Sequence, residues 1–271
     1  MSQKNRLTFN NNTLRVGGTS WVIPGTFETN LRELSKDVTD MEIVLFETPE
    51  YSNIPTKEEV AKLKDVCEEL DMTCNVHFPV GVCHFPDMKT RIECEDLCLR
   101  TIDLFAPMNP FGWVLHLVGE IRGSSPTNNM EKWKEITYNS TVRLASAVDD
   151  KKKICAETLD YKYEYVYDIV QKAGISVCFD IGHITLYGYP PYGMMDKYLA
   201  NTRIIHLHGV NPSGEDHVST EYFDKKLLTD LIKRCNDGKE RVMSLEVFEN
   251  DYNLSVNDLR TFCDNYKIKI G

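Results

Sequence analysis

The sequence predicts an α/β protein built as a single (β/α)8 TIM barrel, and three observations predict it. Short β-branched and aromatic runs alternate with amphipathic helical patterns about eight times, the number that closes a parallel barrel. No composition break, Pro/Ser-rich linker or charge block interrupts the series. Ionisable side chains fall where the apolar runs stop, which in a barrel is the catalytic face. An open doubly wound sheet would usually carry a Gly-rich phosphate loop after its first strand, and neither G-x-G-x-x-G nor G-K-[ST] occurs.

Residues 1–13 read as a polar N-terminal segment with an Asn run, and residues 14–271 as the barrel. Leu14 to Trp21 is the first strand running into a loop at Val22 to Gly25, with a helix expected near Phe27 to Ser35. Met41 to Phe46 is the second strand, closed by Glu47. Thr56 with Glu59 makes a capping box, and Val60, Leu63, Val66, Cys67 and Leu70 form the stripe of the helix behind it. Thr73 to Phe78 carries His77, a helix covers about Lys89 to Phe105, and Trp113 to Leu117 carries His116. A helix from Met130 to Val148 leads to a strand at Ile154 to Leu159 with Glu157, then a helix near Tyr165 to Lys172. The Val177 strand ends in Asp180 and His183, where Gly182 lets the chain bend so that both point one way. A short helix near Met194 to Ala200 precedes the Ile204 strand with His206 and His208. A helix from Asp224 to Cys235, a strand at Val242 to Val247 with Glu246 and a helix from Val256 to Tyr266 complete the series.

The chain of 271 residues is long enough to bury a sizeable core. A formal net charge of −10 argues against gripping nucleic acid phosphates and favours small-molecule chemistry. The nine cysteines are scattered without a C-x-x-C, so they read as reduced core residues. Without a signal-peptide pattern or a membrane-length apolar run, the expected location is cytoplasmic, with no membrane partner.

Collected in order, the strand-end groups are Glu47, His77, His116, Glu157, Asp180, His183, His206, His208, His217 and Glu246, with Glu215 and Asp216 beside His217. A lone strand-end His is more often a satisfied structural residue than a ligand. Six of the seven histidines share this placement, however, and packing alone would spread them over helices too. Nitrogen and oxygen donors without sulfur suit zinc, manganese or iron in a catalytic site. They exceed what one ion uses, so a bi- or trinuclear cluster with Glu157 bridging is expected, and phosphodiester hydrolysis is the chemistry such a cluster suits.

The succession VHFP, VLHL, AETL, FDIGH, IIHLHG, E-D-H and SLEVF resembles the xylose-isomerase-like barrels that include the three-zinc apurinic endonuclease family. That resemblance implies that His77, His116 and Glu157 bind one ion, and that Glu157, Asp180, His206 and Glu246 bind a second. His183 and His217 with Glu215 or Asp216 would bind a third, and that family's spacing favours Glu215. His208 stands where that family has a non-ligand polar residue, which points it toward substrate. Gly18 to Pro24, Met41 to Glu47 with Ser52 to Pro55, and Asn75 to Pro79 are similar to the cobamide-remodelling phosphodiesterase (CbiR) family. This implies hydrolysis of the nucleotide-loop phosphodiester of a cobamide, with two or three ions, zinc before manganese.

The Tyr187 to Tyr192 loop offers tyrosines stiffened by two prolines, and Tyr189 and Tyr192 are candidates for a flat wall against a corrin ring; an ordinary packed loop explains them equally well. Trp21 and Ser52-Asn53 sit at the expected barrel mouth, although turn chemistry also accounts for Ser-Asn near a Pro. Glu47 is a general base, a substrate contact or a partner for a ligating His. His84 reads as a loop residue without a special role. The alternative function is a sugar isomerase or epimerase using Glu157, Asp180, His206 and Glu246 around one ion, with Glu157 and Glu246 moving protons at adjacent carbons.

Overall fold

The computed structural model describes residues 6–79 and 88–268. His84 therefore lies outside the described residues. Eight strands run parallel in chain order: β2 (Leu14–Thr19), β3 (Asp40–Val44), β4 (Thr73–His77), β5 (Gly112–Leu115), β6 (Ile154–Glu157), β7 (Ser176–Asp180), β8 (Thr202–Leu207) and β9 (Arg241–Leu245). β9 pairs with β2, with Leu14 opposite Arg241 and Gly18 opposite Leu245, and this pairing closes the barrel. The outer layer is α1 (Phe27–Leu34), α2 (Lys57–Leu70), α3 (Met88–Phe105), α4 (Met130–Ala145), α5 (Glu164–Ala173), α6 (Ile181–Leu186), α7 (Pro191–Tyr198), α8 (Lys225–Arg234) and α9 (Glu249–Tyr266).

Local chemistry sets the helix starts. The Thr56 hydroxyl accepts from the Glu59 N–H at 3.2 Å while the Glu59 carboxylate accepts from the Thr56 N–H at 2.7 Å, the reciprocal box expected from sequence. Asp224 caps α8 through the Leu227 N–H at 2.8 Å. α7 begins at Pro191, earlier than expected, because proline's fixed φ and missing N–H suit a first helical turn. α9 begins at Glu249 rather than Val256, since the polar stretch from Glu249 to Asn253 gives its apolar periodicity only through Tyr252.

Inside the barrel, side chains two apart on a strand share the inward face. Val114, Cys155, Cys178 and Ile204 bury completely as a small cluster of their own. Each lies two residues before an ionisable group: His116, Glu157, Asp180 and His206. The apolar plug thus fixes the level at which those four groups emerge. The main core lies between strands and helices, with Phe9, Phe105, Trp133 and Phe179 among its large members.

The N-terminal segment is more than a polar lead-in. β1 (Thr8–Phe9) pairs antiparallel with β2, and Leu7 and Phe9 are 0% exposed. The Asn run supplies the turn, with Asn10, Asn11 and Asn12 all at positive φ, where Asn is tolerated better than most side chains. Phe9→Ala should lower stability by about 3–5 kcal/mol in chemical denaturation, as for other fully buried aromatics. A loss below about 1 kcal/mol would mean that the segment merely rests on the barrel.

Candidate metal centre

The barrel brings together four buried carboxylates and six imidazoles. Glu42, Glu157, Asp180 and Glu246 are 0%, 1%, 0% and 8% exposed, and His77, His206 and His208 are 3%, 0% and 0% exposed. His116, His183 and His217 are half-buried at the rim of the same face. Among the described residues five groups of donor atoms are close enough to hold an ion: His77, His116 and Glu157; Glu157, Asp180, His206 and Glu246; His183, His208 and His217; Glu157, Cys178 and His206; and Glu42, His77 and Glu246. Glu157 belongs to the first two and to the Cys178 group.

Glu157 is the hub. One oxygen lies 2.8 Å from His116 Nε2, 3.6 Å from His77 Nε2 and 3.7 Å from His206 Nδ1, while the other lies 3.3 Å from His183 Nδ1. Burial by itself would raise the Glu157 carboxyl, but the charges of His116 and His206, the hydrogen bond from His116 and the His183 ring at 3.3 Å hold it well below the usual range. Asp180 is held low against its own burial in the same way, by His183 and His208. Burial disfavours charge on His183 too, yet Asp180 and Glu157 push it up to about 12. His217, set against Glu246 at 3.5 Å and Asp216 at 3.3 Å, is pushed up to about 9 despite its burial.

Glu157 Oε1, Asp180 Oδ2, His206 Nδ1, His208 Nε2 and Glu246 Oε2 are buried and make no hydrogen bond among the described residues. They approach one another, as His206 Nδ1 does Glu246 Oε2 at 3.0 Å, but at angles that form none. Unmade bonds on buried polar atoms are costly, and five of them facing one another fit a set that divalent cations complete. The His77 ring is turned toward the same set, since its Nδ1 faces the Phe78 carbonyl at 2.8 Å and leaves Nε2 toward His116 and Glu157.

Asp180 and His183 do not meet through a glycine bend. Asp180 ends β7 and caps α6, accepting from the His183 N–H at 2.7 Å, so the helical turn places His183 Nδ1 3.0 Å from Asp180 Oδ2. Gly182 serves a different end, since a Cβ there would lie 2.3 Å from the His208 ring. His208 is fully buried, stacked on His217 with ring centroids 4.2 Å apart, and its Nε2 lies 3.3 Å from Asp180, within one of the donor groups.

Glu215 is exposed and occupied with Asn211, whose side-chain amide donates to it at 3.0 Å; Asp216 is the acid that faces His217. His217 adopts φ +54, an unusual conformation for a bulky residue and one often kept at functional sites. Glu47 is exposed, bridged to Ser52 through backbone, and outside all five donor groups. The acid that its strand does bring to the centre is Glu42, five residues earlier and overlooked because it sits inside the run rather than at its end. One sulfur approaches as well, Cys178 beside Glu157 and His206, its thiol raised well above the ordinary range by burial.

Of the tyrosines, Tyr189 donates to the Asp160 carbonyl at 2.9 Å, and Tyr192 donates to Asp230 on α8 at 3.0 Å. The ring that approaches the centre is Tyr187, 45% exposed and 5.9 Å from the His183 ring. Trp21 is half-exposed, packs edge-on against Phe46 at 5.5 Å and lines a cavity of ≈ 530 Å3 with Ile23, Tyr51, Asn53, Ile54 and Pro55. The Glu249 N–H donates to the Trp21 carbonyl at 3.0 Å, and the neighbouring Phe248 ring lies 6.0 Å from His217, so this cavity adjoins the centre.

No protein-family model and no curated protein sequence matches the chain. Solved structures do. A D-psicose 3-epimerase in the presence of D-fructose superposes with a TM-score of 0.70 at 13% identity, over 93% of this chain and 98% of that one. A 3-keto-D-glucoside 4-epimerase from E. coli gives 0.70 at 11% identity, over 93% and 99%. An IolI protein with a bound zinc atom gives 0.67 at 14% identity, over 93% and 96%. A xylose isomerase domain protein from Planctomyces limnophilus gives 0.63 at 13%, over 97% and 98%. These likenesses agree with the fold, a single (β/α)8 barrel. Among the described residues no helix is long and apolar enough to cross a membrane.

Metal binding here should release protons. His217 stays protonated up to about pH 9 in the metal-free chain, and a ligand must give up its proton. Zinc affinity should therefore rise with pH between 6.5 and 8.5, about tenfold per unit for each proton displaced. Competition titration with a chromophoric chelator measures this, and a flat profile would remove His217 from the ligand set.

Proposed function

We propose that the chain is a metal-dependent phosphodiesterase acting on cobamides. The observation that carries the reaction type is the excess of ligands: a one-ion site needs only Glu157, Asp180, His206 and Glu246, whereas His77, His116, His183, His208 and His217 converge on the same face. Bound there, divalent ions supply Lewis acidity and ionise water near neutral pH, the chemistry that a phosphodiester displacement requires. The chain's own contribution is to hold the carboxylates of Glu157, Asp180 and Glu246 deprotonated and to aim the donors. Glu157 joins three of the groups, Asp180 positions His183 through the α6 cap, and Glu246 lies against both His206 and His217. Phe248 and Tyr187 stand over the third group as apolar walls that limit water.

The substrate class rests on the sequence resemblance in Gly18 to Pro24, Met41 to Glu47 with Ser52 to Pro55, and Asn75 to Pro79. Support comes from where the first two stretches sit. Trp21, Ile23, Asn53, Ile54 and Pro55 line one cavity beside the centre, of a size for a bulky planar group. Zinc is the first choice of metal, with manganese second.

A second reading is a sugar epimerase or isomerase with one ion, and the named solved structures favour it over the hydrolase. In that case Glu157 and Glu246, both within reach of the His206 ring, would move the protons.

Metal-loaded protein incubated separately with a cobamide and with ketohexoses, followed by liquid chromatography and mass spectrometry, separates the two. Cobinamide phosphate plus a lower-base riboside is the expected product. His77→Ala and His116→Ala should each lower that activity by about 100-fold or more, the upper end of what losing even an outer ligand partner costs. Epimerised sugar, with the activity surviving both substitutions, would establish the second reading instead.

A further inference from the structure

We propose that Glu42 is a positioning residue: from inside the barrel its carboxylate accepts the Nε2–H of His206 and so commits Nδ1 to the ion held with Glu157, Asp180 and Glu246. The inference rests on the metal-binding part of the function proposed above and not on which reaction follows.

The geometry is one-sided. His206 Nε2 lies 3.1 Å from Glu42 Oε2, and both side chains are 0% exposed, so water cannot replace that contact. The other ring nitrogen, Nδ1, lies 3.0 Å from Glu246 and 3.7 Å from both Glu157 and Asp180, with no hydrogen bond of its own. A neutral imidazole has one N–H and one lone pair, and the hydrogen bond made by one nitrogen decides what the other offers. Glu42 accepts and cannot donate when ionised, so Nε2 carries the proton and Nδ1 the lone pair.

Glu42 is itself fixed. Ser244 Oγ donates to the same oxygen at 2.9 Å, and Ser244 is the register partner of His206 on the neighbouring strand. A carboxylate–imidazole pair of this kind also raises the basicity of the ligating nitrogen. Thr19 and Asn75 flank Glu42 in register on either side, without a competing cation. The remaining oxygen, Oε1, has no hydrogen-bond partner among the described residues, and the Glu42 carboxylate comes near His77 and Glu246, so direct ligation is the rival role.

Three measurements separate these roles. In the zinc-loaded wild-type chain, nitrogen-15 NMR should find His206 protonated at Nε2; protonation at Nδ1 overturns the proposal without any mutant. Glu42→Ala should weaken zinc binding by about 10–100-fold, and that slowly exchanging Nε2–H signal should disappear. Glu42→Gln keeps an acceptor oxygen but not the charge, so it should keep the Nε2–H signal and most of the affinity. Loss in Glu42→Gln equal to that in Glu42→Ala overturns positioning in favour of direct ligation. Should Glu42→Ala not fold, the Glu42→Gln and wild-type arms still decide. A wild-type chain that binds no zinc would instead remove the metal reading itself.

Discussion

The structure depends on burying four carboxylates inside a barrel. Glu42, Glu157, Asp180 and Glu246 are removed from water, and each would neutralise or disrupt the fold if left unpaired. The imidazoles around them supply the compensation, with Glu157 alone facing His77, His116, His183 and His206. Several of these contacts lie near 3.7 Å and make no hydrogen bond, so imidazole charge satisfies the cluster only in part. That shortfall is the physical ground for the proposal that divalent metal binds on this face.

The barrel makes this arrangement possible by layering. Val114, Cys155, Cys178 and Ile204 fill the lumen, and the residue two positions on from each one emerges above them. Register then sets neighbours: Asp180 lies beside His206, and His206 beside Ser244. Candidate ligands from β4 to β9 converge because parallel strands end together, while α6 adds His183 by a single turn from Asp180. The strained His217 and the glycine that lets His208 pack against α6 belong to the same construction.

Much of this was legible in the sequence. Strand-end His77, His116, Glu157, Asp180, His206 and Glu246 announce themselves because an ionisable group closes an apolar run, and the strand–helix alternation gives the barrel. Glu42 was not legible, since a carboxylate within Met41 to Val44 looks like the polar face of a half-buried strand. Only closure of the barrel turns that face inward. The short helix after Asp180 was hidden because a strand ending in D-I-G-H has the same residues as a capped turn. Tyr189 and Tyr192 looked alike as candidates, but loop direction sends their hydroxyls to Asp160 and Asp230, leaving Tyr187 near the centre.

The central claim is that more than one ion occupies this face. Anomalous X-ray diffraction at the zinc edge on the loaded protein, with metal content measured on the same sample, tests it most directly. The expected result is two or three ions per chain, with Glu157 between a pair of them. A single ion held by Glu157, Asp180, His206 and Glu246, with His77, His116 and His217 free of metal at saturation, would contradict it.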